Sequence, residues 1–275
     1  MKEALFTIVL AGVSRALILR DRVLGRVRKQ KFVNTRKTVV ERLSIISGRN
    51  RIDAAFVKPS IVPVEQVILM CHGIGETIEY WLPAQRLLAK HGIATLIFDY
   101  SGYGKSTGAI TTAQCERDAV AAFHKLRELM PGRPISILGF SLGSGIATAI
   151  LPRIDAHRLI LCAAYTSFKE AATTAGIPGF VANLAPRVWD TEAAMPECSV
   201  PVLILHGERD PLFPVKMAEE LKAACGDNGE LIVVPGLTHN QPFYRPHWSY
   251  WRLLADWLAP SIAEPPTTQY PVAQY

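Results

Sequence analysis

Three clusters of residues in this chain have the types and spacing for nucleophilic acyl chemistry. The first is Gly139-Phe140-Ser141-Leu142-Gly143, set between the apolar run Pro134-Ile135-Ser136-Ile137-Leu138 and a helix-like stretch from Ser144 to Leu151. A serine hydroxyl is a weak nucleophile unless it is exposed, deprotonated by a neighbour and placed beside donors for the developing oxyanion. A strand-to-helix elbow does the first and the last of these. The turn strains and exposes Ser141, the glycines two before and two after it allow the tight backbone, and the N–H of Leu142 opens the helix toward the oxyanion. The pattern occurs a second time as Gly104-Lys105-Ser106-Thr107-Gly108, after the turn-rich Asp99-Tyr100-Ser101-Gly102-Tyr103. That copy reads as a loop serine. It is no phosphate loop either, because Asp99 stands where that motif needs a glycine.

The second cluster is Leu237-Thr238-His239-Asn240, which follows the apolar run Leu231 to Val234 and the turn Pro235-Gly236. His239 is the candidate general base toward Ser141 and acid toward the leaving group. Of the other histidines, His91 and His124 sit on or at the ends of helical stretches, His157 precedes a strand, and His72 and His206 open loops. His247, at the start of the last helical stretch, is the rival. The third cluster is His206-Gly207-Glu208-Arg209-Asp210-Pro211, after the run Val202 to Leu205. Asp210 would hold the imidazole, although an aspartate before Pro211 also suits a helix cap. Glu208 is the competing carboxylate. Finally, His72-Gly73-Ile74-Gly75 follows the run Val67 to Cys71, and its flexible backbone offers the N–H of Ile74 as a second oxyanion donor.

The elements that must carry these clusters alternate along the chain. Thr38 to Ser47 and Ile52 to Val57 read as a hairpin around Gly48-Arg49-Asn50. Strand runs follow at Val67 to Cys71, Ala94 to Phe98, Pro134 to Leu138, Arg158 to Ala163, Val202 to Leu205 and Leu231 to Val234. Helical stretches lie at Thr77 to Lys90, Thr112 to Met130, Val215 to Ala224 and Trp248 to Leu258. Repeated β-α units with continuous apolar strands predict a mostly parallel central sheet with helices on both faces. Ligands of such sheets bind at the C-terminal strand ends, where every candidate falls.

Composition bounds the rest. The 275 residues, 49 % hydrophobic, suffice for one large core. The five cysteines have no C-x-x-C pair, and no His/Cys cluster has metal-ligand spacing, so buried thiols, no metal and no cofactor are expected. The net charge of +6 is uneven: residues 1–51 carry 13 Lys/Arg against 3 Asp/Glu, and the rest is mildly acidic. That argues against a nucleic-acid groove across the body. The basic arm, residues 1–37, begins with the apolar stretch Ala4 to Leu19, broken by Thr7, Ser14 and Arg15. Arg20, Arg22, Arg26, Arg28, Lys29 and Lys31 follow. Sixteen residues fall short of the roughly 20 of a bilayer span. The arm suits an anionic membrane surface, a helix packed on the protein's own body, or a cleaved signal. A peripheral enzyme facing the cytoplasm follows from the first alternative. Residues 38–262 are the catalytic domain, and the Pro-bearing residues 263–275 read as a disordered tail.

Cys71-His72-Gly73, Phe98 to Ser106, Gly139 to Gly143, Leu205 to Asp210 and Thr238-His239, in this order, resemble the α/β-hydrolase fold superfamily. More narrowly, with Ala164-Tyr165-Thr166-Ser167-Phe168, they resemble its short-capped serine hydrolases of the BEM46-like, ABHD13/ABHD17-like group. Two departures stand out. Ile74-Gly75-Glu76 replaces the group's usual loop, and the arm lacks the cysteines that anchor some relatives. The resemblance implies the α/β-hydrolase fold with a short cap over residues 168–199, ester, thioester or amide hydrolysis of a small acyl substrate, and no cofactor. In the cap region and beyond it, Phe168, Trp189, Phe213 and Phe243 are candidates to line an acyl pocket. A carboxylesterase or acyl-thioesterase is favoured over an amidase or peptidase. A catalytically idle fold serving as a binding module is the alternative of another class. Oligomeric state is not encoded legibly.

Overall fold

A computed structural model of the protein describes residues 11–20, 30–174, 188–244 and 246–259. The tail and the centre of the cap lie outside the described residues, as do both flanks of the arm helix. Eight strands form one sheet in the order β1-β2-β4-β3-β5-β6-β7-β8. They are β1 (Thr38–Ser47), β2 (Asn50–Pro59), β3 (Gln66–Cys71), β4 (Ile93–Phe98), β5 (Ile135–Phe140), β6 (Leu159–Cys162), β7 (Val202–Gly207) and β8 (Gly229–Val234). β1, β2 and β4 pair antiparallel, and the remaining pairings are parallel. The hairpin is tighter than expected: Ser47 pairs with Asn50, and Gly48, at φ +59°, supplies the left-handed turn residue.

The central strands are buried on both faces, and successive side chains go to opposite layers. On β3, Val67, Leu69 and Cys71 face one layer, and Ile68 and Met70 the other. The first layer is closed by α3 (Thr112–Leu129), α4 (Leu142–Ile150) and α7 (Val215–Cys225), through residues such as Phe123, Ile146 and Leu221. The second is closed by α2 (Ile78–Ala89) and α9 (Trp248–Leu258), whose Trp81 and Trp251 are fully buried. Between β6 and β7 lie the short α5 (Phe168–Thr174) and α6 (Thr191–Ala194), and α8 (Gln241–Tyr244) follows β8.

The described part of the arm, residues 11–20, is a helix, α1. It packs on the body. Ser14 is buried and its Oγ lies 2.6 Å from the Tyr103 hydroxyl, while Ala11 and Ile18 rest against the first layer. Its other face is open, with Val13 41 % and Leu19 64 % exposed. Among the described residues no helix is long and apolar enough to cross a membrane. All five cysteines are free thiols, four of them buried.

Candidate active site

β5 runs into α4 with one residue between them, and that residue is Ser141. Its backbone sits at φ 50°, ψ −119°, a strained conformation for a side-chain-bearing residue. The flanking glycines are required by space. A Cβ on Gly139 would lie 2.4 Å from the Gly143 oxygen, and one on Gly143 would lie 2.0 Å from the Cys71 oxygen at the end of β3. The elbow is pinned by Ser141 N–H donating to the Cys162 carbonyl at 3.0 Å, and by the N–H and Oγ–H of Ser144 donating to the Ser141 carbonyl. One expectation needs correcting. Ser141 is strained but not exposed: at 4 % it lies under the surrounding loops, so a substrate must enter a covered site. The N–H of Leu142, first residue of α4, belongs to the group a helix leaves without an internal acceptor. Because Gly143 is pressed on Cys71 and His72, that helix start abuts the loop carrying Ile74.

The loops after β7 and β8 are knitted together. Arg209 N–H donates to the Leu237 carbonyl at 2.9 Å, and Gly207 lets that carbonyl approach, since a Cβ there would sit 2.4 Å from it. Glu208, the rival carboxylate, is taken up by this knitting: it accepts from the Gly236 N–H at 2.8 Å. Asp210 faces the other way. Its Oδ2 lies 2.6 Å from His239 Nδ1, and its Oδ1 accepts from the N–H groups of Leu212 and Phe213 at 2.8 and 2.9 Å. Burial pushes the Asp210 carboxyl up, but the hydrogen bond and charge of His239 and the two backbone donors together hold it below the usual range. It is an anion oriented to keep a proton on Nδ1 of His239. The His239 ring packs at 5.1 Å from Phe140, the residue before Ser141, and at 5.2 Å from Phe213. His247, the rival histidine, caps α9 and pairs with Ser249 instead. Ser106, the rival serine, donates to the Asp99 carbonyl and accepts from Asp53 N–H, which makes it a loop tie.

The α/β-hydrolase fold family matches residues 66–194. The chain has the α/β-hydrolase fold and is similar to proteins of the ABHD type. A lysophosphatidylserine lipase ABHD12 of Danio rerio is 26 % identical over 189 residues, covering 62 % of this chain and 50 % of that protein. An uncharacterized Mycobacterium tuberculosis protein is 29 % identical over 182 residues, covering 64 % and 63 %. The chain thus aligns with between half and two-thirds of the length of these relatives. Among solved structures, an esterase of Exiguobacterium antarcticum superposes with a TM-score of 0.61 at 19 % identity, over 78 % of this chain and 98 % of that one.

Within this fold, the candidate pocket residues divide. Phe213, Tyr165, Phe168 and Trp189 form one run of edge-on rings leading away from His239, with centroids 5.6, 6.2 and 6.0 Å apart along it. Phe243 sits elsewhere: 1 % exposed, it packs against Phe140, Trp81 and Trp251 in the core behind His239. Phe140, Tyr165 and Glu76 were not singled out as site residues by sequence reasoning. His206, assigned to a loop, is on β7. Its Nε2 contacts the Phe213 carbonyl at 2.8 Å, and burial lowers its proton affinity, so a neutral ring backs Asp210. Below the Ile74 loop, burial pushes His72 down to about 4 and Asp99 up to about 8, so both are neutral near pH 7. Among the described residues no group of three His, Cys, Asp or Glu side chains is placed to hold a metal.

Proposed function

We propose that this chain is a serine hydrolase that cleaves an ester or thioester of an acyl substrate through an acyl-enzyme. The observation that carries the proposal is the pairing of a strained elbow serine with an imidazole whose Nδ1 is held 2.6 Å from a buried aspartate. In this reading Ser141 Oγ attacks the acyl carbonyl while His239 Nε2 takes its proton. The N–H groups of Leu142 and Ile74 receive the oxyanion, and the imidazolium, stabilised by Asp210, returns the proton to the leaving group. Water then repeats the sequence on the acyl-enzyme. No step requires a cofactor. The run from Phe213 to Trp189 is the proposed acyl-binding wall. A relative named as a lysophosphatidylserine lipase supports an acyl substrate met at a lipid surface. The open face of α1, with Val13, Leu19, Arg15 and Arg20, is the proposed contact with an anionic membrane, in line with a peripheral, cytoplasm-facing enzyme.

A fluorophosphonate probe tests the assignment. Labelling is expected in the parent and in Ser106→Ala, and is expected to vanish in Ser141→Ala. Labelling that survives Ser141→Ala refutes it. Folded protein that turns over no p-nitrophenyl ester from acetyl to dodecanoyl, nor the matching thioesters, points instead to a binding module.

A further inference from the structure

The loop His72-Gly73-Ile74-Gly75-Glu76 leaves β3 with polar backbone groups of its first two residues tied to buried side chains. The N–H of Gly73 donates to Glu76 Oε2 at 2.8 Å, and the same oxygen accepts from Trp81 Nε1 at 2.9 Å. The His72 carbonyl accepts from the Tyr100 hydroxyl at 3.1 Å, and the Gly73 carbonyl lies 2.8 Å from His72 Nδ1. On the far side, the Tyr103 ring packs edge-on against the His72 ring at 5.3 Å, and its hydroxyl is bonded to Ser14 Oγ of α1. Gly75 has φ +76°, and a Cβ there would stand 2.5 Å from Leu17 Cβ, so α1 lies directly on the loop. Among the described residues, the N–H of Ile74 has no acceptor, while the carbonyl of the same peptide plane, that of Gly73, and the N–H before it are held. A peptide plane held through its carbonyl and the preceding amide resists swinging, and a preorganised donor is worth most in a buried site.

We infer that Glu76 and Tyr103, the latter bonded to Ser14 of α1, whose Leu17 lies on Gly75, are positioning residues that aim the Ile74 N–H at the oxyanion. The inference rests on the serine-hydrolase reading above and adds to it. The arm helix, which lies outside residues 66–194, becomes part of the catalytic apparatus, and Glu76 gains a role although it touches no substrate. The bonds from Gly73 and Trp81 reach one oxygen of Glu76, so a glutamine can reproduce these two with its carbonyl oxygen, whereas an alanine cannot. Removing a whole oxyanion donor costs about 10²–10³ in kcat. A donor left in place but unpinned forfeits part of that.

The test uses the full chain, with p-nitrophenyl ester turnover normalised to sites titrated by a fluorophosphonate taken to completion. Glu76→Ala is expected to lose about 10- to 100-fold in kcat with KM changed less than about threefold, and Glu76→Gln to recover most of that loss. Tyr103→Phe and Ser14→Ala are expected to lose kcat in the same direction, by about three- to tenfold, so the inference is still testable if Glu76→Ala folds poorly. A trifluoromethyl ketone, which places an oxyanion in the same hole, is expected to lose affinity in parallel with kcat. A merely structural role would reduce the titratable fraction and leave kcat per site unchanged. An active, Ser141-dependent parent whose variants keep kcat per site within about twofold overturns this inference alone, as does a Glu76→Gln variant no better than Glu76→Ala. A parent that turns over no ester overturns the serine-hydrolase reading and this inference with it.

Discussion

Replacing Asp210 by asparagine separates the proposed catalytic role from a capping role, because the two would use different oxygens. Oδ1 accepts the N–H groups of Leu212 and Phe213, and Oδ2 faces His239 Nδ1 at 2.6 Å. Asparagine has one acceptor oxygen, and two converging backbone donors will claim it. Its NH₂ then faces Nδ1. Two N–H donors cannot share that contact, so the imidazole keeps its proton on Nε2 and cannot take one from Ser141. Restoring the reactive tautomer forfeits a hydrogen bond to a charged group, about 1.5–3 kcal/mol, and leaves a buried donor unsatisfied, about 1–3 kcal/mol. The sum, about 2.5–6 kcal/mol, corresponds to a loss of about 10²–10⁴ in kcat. The cap survives, so the melting temperature should fall little. Steady-state ester hydrolysis and thermal unfolding of the same preparation measure both. A folded Asp210→Asn protein with kcat within tenfold of the parent would refute the assignment of Asp210 as the orienting group.

Three further outcomes are expected. Gly143→Ala puts a methyl 2.0 Å from the backbone oxygen of Cys71; α4 must retreat, and kcat should drop by about two orders of magnitude for a stability loss of about 1–3 kcal/mol, read by kinetics and urea unfolding. The buried His72 and Asp99 set a pH dependence of stability. From about pH 4 to 6.5 the unfolded chain holds the histidine proton and the folded chain the aspartic proton, so the pair adds no slope. From 6.5 to about 8 only the folded chain holds one, and the pair's contribution should fall by about 2 kcal/mol. Asp99→Asn, which keeps the acceptor for Ile78 N–H, should remove that fall, and an unchanged slope in pH-dependent denaturation would refute the neutral Asp99. Substituting the open face of α1 by Val13→Glu and Leu19→Glu should reduce flotation with anionic liposomes at least tenfold, while neutral liposomes serve as control; equal flotation would show that this face does not meet lipid.

What could be read from the residues alone followed strand ends. Ser141, Asp210 and His239 each stand just after an apolar run, and Gly139 is needed by the elbow itself, whose own Gly143 carbonyl excludes a Cβ, whereas Gly143 is needed because α4 presses on Cys71 of β3. The same logic placed the inner strands β3 to β7 to within a few residues, because runs buried on both faces are continuously apolar. It misjudged the depth of Ser141, since exposure depends on the loops that gather over an elbow and not on the elbow itself. Phe243 and Phe213 look alike in sequence, yet one faces Trp81 and the other His239, a difference of packing direction that composition does not carry.

The arm is the most instructive case. Its apolar stretch read equally as a lipid-facing or a body-facing helix, and hydrophobicity cannot choose, because both surroundings reward the same residues. The discriminating residue is the polar one. Ser14, three after Ala11 and four before Ile18, falls on the inward face and meets Tyr103, 89 positions along the chain. A buried hydroxyl in lipid would have no such partner. Ser14 and its partner therefore assign one face of α1 to the protein, while Val13 and Leu19 keep the opposite face available. With the Ile74 loop as the proposed oxyanion loop, a helix with one face on it and the other outward would couple whatever it meets outside to the geometry of Ile74. That coupling makes a strong expectation: conditions that peel α1 from Tyr103 should lower kcat before they unfold the sheet, because the loop loses its brace while the core beneath it, closed by Trp81 and Phe123, is untouched.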